Sequence, residues 1–183
     1  MGFNEEKKKQ LNRKDRSNIG EWDERIKDLC NKLNKKDNYY TTSSCSGRIV
    51  LIKFLDKKSE DVFLFRTHDK IKFKEIKKAI NNIHYNGLVE FKLSSCILHV
   101  SCKSFSDAEK LVLKGKLAGW KHSGIMSVKR NMVELLSTEN ISFPIMKNKK
   151  ILVNDDFLKL IVKLSNKKLE KTWEKITRLE NLI

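Results

Sequence analysis

Apolar residues in this chain come in short β-branched runs separated by stretches of helical period, and that alternation restricts the folds open to it. Ile49-Val50-Leu51-Ile52-Lys53-Phe54 is too brief for a helical core and reads as a buried strand. Val62-Phe63-Leu64-Phe65, beyond the polar turn from Asp56 to Asp61, reads as its returning partner. Upstream, Trp22, Ile26, Leu29, Cys30 and Leu33 recur at three- and four-residue steps, which predicts a helix from Glu21 onward. The charged segment before it, Glu5 to Arg16, is read as a helix or a mobile arm.

The same logic runs to the other end. A helix near Ile71 to Ile83 carries Ile76, Ile80 and Ile83 on one side, with Asn86-Gly87 as its stop. Val89, Phe91 and Leu93 share one parity while Cys96, Leu98, Val100 and Cys102 share the other, which predicts a bulge or tight turn at Ser94-Ser95. Ser106 as N-cap and Glu109 at the capping-box position start another helix, closed by Gly119-Trp120. Gly124 to Val128 and Met132 to Thr138 form a third hairpin, and Pro144 falls in a connection. From Asn154 the chain reads helical to its end on Phe157, Ile161, Leu164, Leu169, Trp173, Ile176 and Leu179. Hairpins alternating with helices imply an α+β fold of mainly antiparallel sheet. The expectation is one domain over residues 1–183, open to an internal near-duplication, with residues 1–20 as a mobile or helical arm and a long C-terminal helix.

Charge narrows the partners. Lysine and arginine number 39 against 23 aspartates and glutamates, a formal net charge of +16. Such a field attracts polyanions, and phosphate contacts gain from counterion release. No apolar run approaches a membrane span, and the N-terminus lacks the apolar core of a signal peptide, so a cytoplasmic location is expected. In that compartment the four cysteines are expected to be reduced.

Cofactor motifs are few. The seven glycines form neither G-x-G-x-x-G nor a Walker loop, which removes the usual fingerprint of a Rossmann-type methyltransferase or dehydrogenase. Cys96, His99 and Cys102 lie three apart, but alternation on a strand turns His99 away from both cysteines, so no metal is expected. The run Thr41-Thr42-Ser43-Ser44-Cys45-Ser46-Gly47-Arg48 differs in kind. It concentrates hydroxyls beside a glycine and an arginine, the donor set of an anion cradle, although a plain polar loop has the same composition. Basic residues along the last helix, from Lys159 to Arg178, suit a solvated face or an RNA-backbone contact.

Taken together, these blocks resemble the tRNA wybutosine-synthesizing protein 3 family. Asp15-Arg16-Ser17 with Gly20 and Asp23-Glu24 is similar to its D-x-S…G…D-E segment, and Tyr39-Tyr40 followed by the 41–48 run is similar to its most distinctive motif. Thr67-His68, Leu98-His99-Val100-Ser101-Cys102, Ser123-Gly124-Ile125 and Ser137-Thr138 leading to Pro144 follow in the family's order. Leu135-Leu136 and Glu139, flanking Ser137-Thr138, depart from the usual pattern. The resemblance implies S-adenosylmethionine as donor and methylation of N4 of the wyosine precursor at position 37 of tRNA-Phe. It also implies a fold unlike that of common methyltransferases. On it, His68, His99 and Asp15 are catalytic candidates. Ser17, residues 41–48, Ser123, Gly124, Ser137 and Thr138 are candidates for cofactor or substrate binding. Tyr39, Tyr40 and Trp120 are candidates to stack on the extruded base. The rival readings are a non-catalytic module that binds the tRNA anticodon loop and a small-molecule anion-binding protein.

Overall fold

In a computed structural model, residues 2–12, 23–55 and 62–183 are described. The chain forms five helices and two antiparallel sheets among these residues, an α+β fold with no parallel sheet. It divides into two compact units. The backbone passes from one to the other after Ser46, after Ser95, after Thr138 and again after Lys171.

The first unit carries helices α1 (Phe3–Leu11) and α2 (Glu24–Asn34), strand β1 (Tyr39–Cys45), strand β5 (Ile97–Cys102), helix α4 (Phe105–Leu117) and strands β6 (Gly124–Ser127) and β7 (Met132–Leu136). Residues 172–183 of helix α5 (Asp155–Leu182) complete it. Sheet order is β1-β5-β7-β6. Leu98, Val100, Val133 and Leu135 point to one face and are fully buried against Ile26, Leu29, Cys30 and Leu33 of α2, Ala108 and Leu111 of α4, and Ile176 and Leu179 of α5. Each aliphatic side chain buried this way contributes about 1.5–3 kcal/mol. On the other face α1 is pinned by Phe3 against Tyr40, ring centroids 5.1 Å apart, and by the Tyr40 hydroxyl donating to Glu6 at 3.2 Å.

The second unit holds strand β2 (Arg48–Lys53), strand β3 (Phe63–Thr67), helix α3 (Phe73–Asn81), strand β4 (Leu88–Ser94), strands β8 (Ile141–Lys147) and β9 (Lys150–Ile151), and residues 155–171 of α5. Its sheet runs β3-β2-β4-β8-β9. Ile49, Leu51, Val89, Phe91 and Leu93 share one buried face. There Phe91 stacks on Phe143, which meets Phe157 of α5 edge-on at 5.3 Å. Asn166 of α5 brackets the start of α3, accepting from Ile71 N–H at 2.9 Å and donating to the Ile71 carbonyl at 2.8 Å.

Several expectations hold and several are corrected. The helix over α2, the β2–β3 and β6–β7 pairings, the Gly119 stop (φ 95°) and the terminal helix follow the sequence. The 41–48 run is not a loop: Tyr39 to Cys45 is the edge strand β1, held by β5, and only Ser46 and Gly47 lie outside a strand. The phase change near Ser94-Ser95, expected as a bulge or tight turn, falls where the chain leaves one sheet for the other, because β4 and β5 belong to different sheets. Helix α4 starts two residues early, capped by Ser104, which accepts from Asp107 N–H at 3.1 Å and donates to its carboxylate at 2.6 Å. Helix α3 ends at the Asn82 cap, well before Gly87. Pro144 lies inside β8. Short β9 pairs only with Met146 and Lys147, so β8 is an edge beyond them and a missing N–H is tolerated. On the C-terminal stripe, Phe157 and Leu164 are exposed while Ile161, Leu169, Ile176 and Leu179 are buried. The expected turn from Asp56 to Asp61, together with Trp22, Asp15 and Ser17, lies outside the described residues.

Candidate functional site

The first unit gathers its polar chemistry on the sheet face opposite the core. His99 alternates with buried Leu98 and Val100, so its ring projects from that face, and its cross-strand partner Glu134 does the same between Val133 and Leu135. Glu134 Oε2 lies 2.8 Å from His99 Nε2, and Ser43 Oγ lies 2.8 Å from Nδ1. A carboxylate only accepts, so Nε2 carries a proton toward Glu134 and Nδ1 meets the Ser43 hydroxyl. Gly124 stands opposite Glu134 in β6, and a Cβ there would meet nothing within 4 Å, which leaves the far side of the carboxylate open. Ser43, His99, Glu134 and Gly124 thus form one row across four strands.

A bulge creates the row. The β1–β5 register shifts between Thr41 and Ser43, so Ser43 points away from the core instead of repeating the inward direction of Thr41. Thr42, the extra residue, places its Oγ1 3.4 Å from the His99 carbonyl. Thr41 is buried and structural: Asn34 accepts from its N–H at 2.8 Å and donates to its Oγ1 at 3.0 Å. Ser44 turns inward and hydrogen-bonds the Cys30 thiol, whose pKa burial pushes up to about 12, the Asp23 charge adding to the rise. Cys45 is half-buried at the end of the strand. Ser46 gives its N–H to Asp23 at 2.8 Å, whereas its Oγ is buried with no hydrogen-bond partner among the described residues. Gly47 holds φ 99°, a backbone a side chain would strain.

The other candidates divide between support and exposure. Ser123 donates to the Trp120 carbonyl at 2.5 Å and accepts from Leu136 N–H at 3.3 Å, which closes the chain between α4 and β6. Lys175 of α5 donates to Ser137 Oγ and Thr138 Oγ1, each at 3.3 Å. Tyr39, Tyr40 and Trp120 are all buried, Tyr39 and Trp120 in the core and Tyr40 against Phe3 of α1 on the opposite face, and Trp120 donates to the Lys175 carbonyl at 3.0 Å, so none presents an exposed ring to a base. His68 and Arg48 belong to the second unit, His68 half-buried at the bend after β3 and Arg48 with its guanidinium 5.2 Å from the Phe63 ring. The sequence reading missed Glu134 because nothing marks a lone glutamate. Its signal was parity with Val133 and Leu135, which sets it opposite His99 once β5 and β7 pair.

The model of the family described as Methyltransferase TYW3 matches residues 5–183. The chain belongs to that family. Its relatives include a protein of Thermococcus sibiricus, 39% identical over 88% of this chain and 83% of its own, named tRNA(Phe) 7-((3-amino-3-carboxypropyl)-4-demethylwyosine(37)-N(4))-methyltransferase. A Methanocaldococcus jannaschii protein of the same name is 35% identical over 99% of this chain and 96% of its own. The solved structure of the PH1069 protein from Pyrococcus horikoshii superposes with a TM-score of 0.87 at 36% identity, covering 98% of this chain and 93% of that one. As a TYW3-family methyltransferase, the chain presents its signature run in three parts: Thr41 and Ser44 bind the fold together, Ser43 joins His99, and Ser46 and Gly47 form the turn out of β1.

Proposed function

We propose that this protein uses S-adenosylmethionine to methylate N4 of the 4-demethylwyosine-type guanosine 37 of tRNA-Phe. The match of residues 5–183 to a methyltransferase family carries the reading, supported by the curated relatives named for that reaction. A net charge of +16 suits a tRNA substrate. Among the described residues no helix is long and apolar enough to cross a membrane.

The residues present fit the donor. Its carboxylate needs hydroxyl or N–H groups, and Ser46 Oγ is a buried hydroxyl with nothing to donate to among the described residues. Ser46 would hold that carboxylate, with Gly47 allowing the backbone to come close. When bound, the donor would supply an electrophilic methyl group to N4 and leave as a neutral thioether. The acceptor nitrogen then has a proton to lose. Ser43, exposed in the row, accepts it at Oγ while passing its own proton to His99 Nδ1, and Glu134 holds the resulting imidazolium at Nε2. Placing the reactants in line supplies most of the rate, about 7–11 kcal/mol, so the row is an aid and not the source of catalysis.

Labelled S-adenosylmethionine, incubated with the protein and either precursor-bearing or unmodified tRNA-Phe, tests the reading. Label is expected only in the precursor-bearing RNA. Binding without transfer would identify a non-catalytic anticodon-loop module, and no tRNA binding at physiological salt would leave a small-molecule anion binder.

A further inference from the structure

In the second unit the face of the sheet opposite the core is basic, and a bulge builds it. Arg48, Val50 and Ile52 of β2 point to this face, with Lys92 of β4 and Arg66 of β3 both paired to Val50. Phe63 and Arg66 are three residues apart and would project to opposite sides of a regular strand. The β2–β3 register shifts between Leu51 and Ile52, so Phe63 pairs with Ile52 and shares the side of Arg66. Both guanidiniums consequently pack on one ring: Arg48 lies 5.2 Å and Arg66 5.3 Å from the Phe63 centroid. Neither arginine has a carboxylate partner among the described residues, and Glu90, opposite Ile52, is the acidic residue of this face among them. Lys92 is exposed.

We infer that Arg48 and Arg66, oriented by Phe63, together with Lys92 on the same face, bind consecutive phosphodiesters of the tRNA substrate. This deepens the tRNA reading above and rests on it. Cations carried by three adjacent strands, each about 5 Å from the next, are spread like the charges of a nucleic-acid backbone, whereas one carboxylate would need only one of them. A ring contact orients a guanidinium without neutralising it, so each arginine keeps its full donor fork for phosphate. Phe63, its face already covered by two cations, positions them and does not stack on a base.

Filter binding of a tRNA-Phe transcript across a salt series tests this, with S-adenosylhomocysteine binding and thermal melting as controls. R66A and K92A are each expected to weaken tRNA binding about five- to tenfold and to flatten the log affinity–log salt slope by about 0.7–0.9. F63L should weaken binding with a smaller change of slope, R66K should retain the slope, and S-adenosylhomocysteine affinity should not move. If R66A unfolds, K92A, at an exposed position of the same face, decides. Unchanged tRNA affinity and slope in folded variants, or loss confined to S-adenosylhomocysteine, overturns the assignment. A wild-type protein whose tRNA binding depends on Arg66 but which transfers no methyl group would uphold this surface and reject the proposed reaction.

Discussion

Glu134 faces His99 across the β5–β7 pair with its carboxylate oxygen 2.8 Å from the ring Nε2, and that contact leaves Nδ1 to Ser43. Replacing Glu134 by glutamine keeps the shape, but the amide can present either donor or acceptor to Nε2. E134Q is expected to lower kcat about tenfold or more and H99A about a hundredfold, within the range of general-base effects, with tRNA affinity little changed. Steady-state kinetics with separate binding measurements check this. Full activity in H99A would remove the row from the mechanism.

Asn34 ties α2 to β1 through both polar atoms of its side chain. Replacing it by alanine leaves the Thr41 N–H and hydroxyl without these partners, in a residue only 6% exposed. N34A should destabilise the protein by about 1–3 kcal/mol, read as a shift of the urea midpoint at constant slope. A midpoint equal to wild type would show that water replaces the amide.

The four cysteines form no disulfide among the described residues and have unequal surroundings. Burial raises the pKa of Cys30 to about 12, and burial followed by the charge of Asp107 does the same for Cys102. Cys96 is fully buried and Cys45 half-buried. Iodoacetamide at pH 8 should therefore alkylate Cys45 first and the other three only on unfolding, as peptide mass mapping would show. Rapid labelling of Cys30 in the folded protein would contradict the packing of α2.

Asp107, bonded by Ser104 and Asn38, keeps its carboxyl pKa below the usual carboxylate range, the Ser104 hydrogen bond being the main cause. A depressed carboxyl stabilises the fold above its unfolded pKa, and that contribution is lost as pH falls through the folded value. D107N should accordingly cost more stability at pH 7 than at pH 3. Melting curves at the two pH values check the difference, and an equal cost at both would deny the linkage.

The helices were legible because their apolar residues repeat at helical spacing, as Ile26, Leu29, Cys30 and Leu33 show. β2 was legible from its β-branched run. β1 was hidden because an edge strand built from threonines and serines carries too little apolar signal. β8 was hidden by Pro144, which tertiary position excuses and local rules do not. The site was half visible. His99 and Ser43 stood out as residue types, but the bulges at Thr42 and between Leu51 and Ile52, which aim Ser43 and Phe63, depend on pairing with a distant strand. Glu134 and Arg66 gained meaning only from those registers.

The most direct measurement is nucleoside analysis of precursor-bearing tRNA-Phe after incubation with the protein and S-adenosylmethionine. The wyosine nucleoside is expected to gain one methyl group on the tricyclic base, with no other nucleoside altered. An unchanged wyosine nucleoside, or a methyl group recovered elsewhere in the tRNA, would contradict the account.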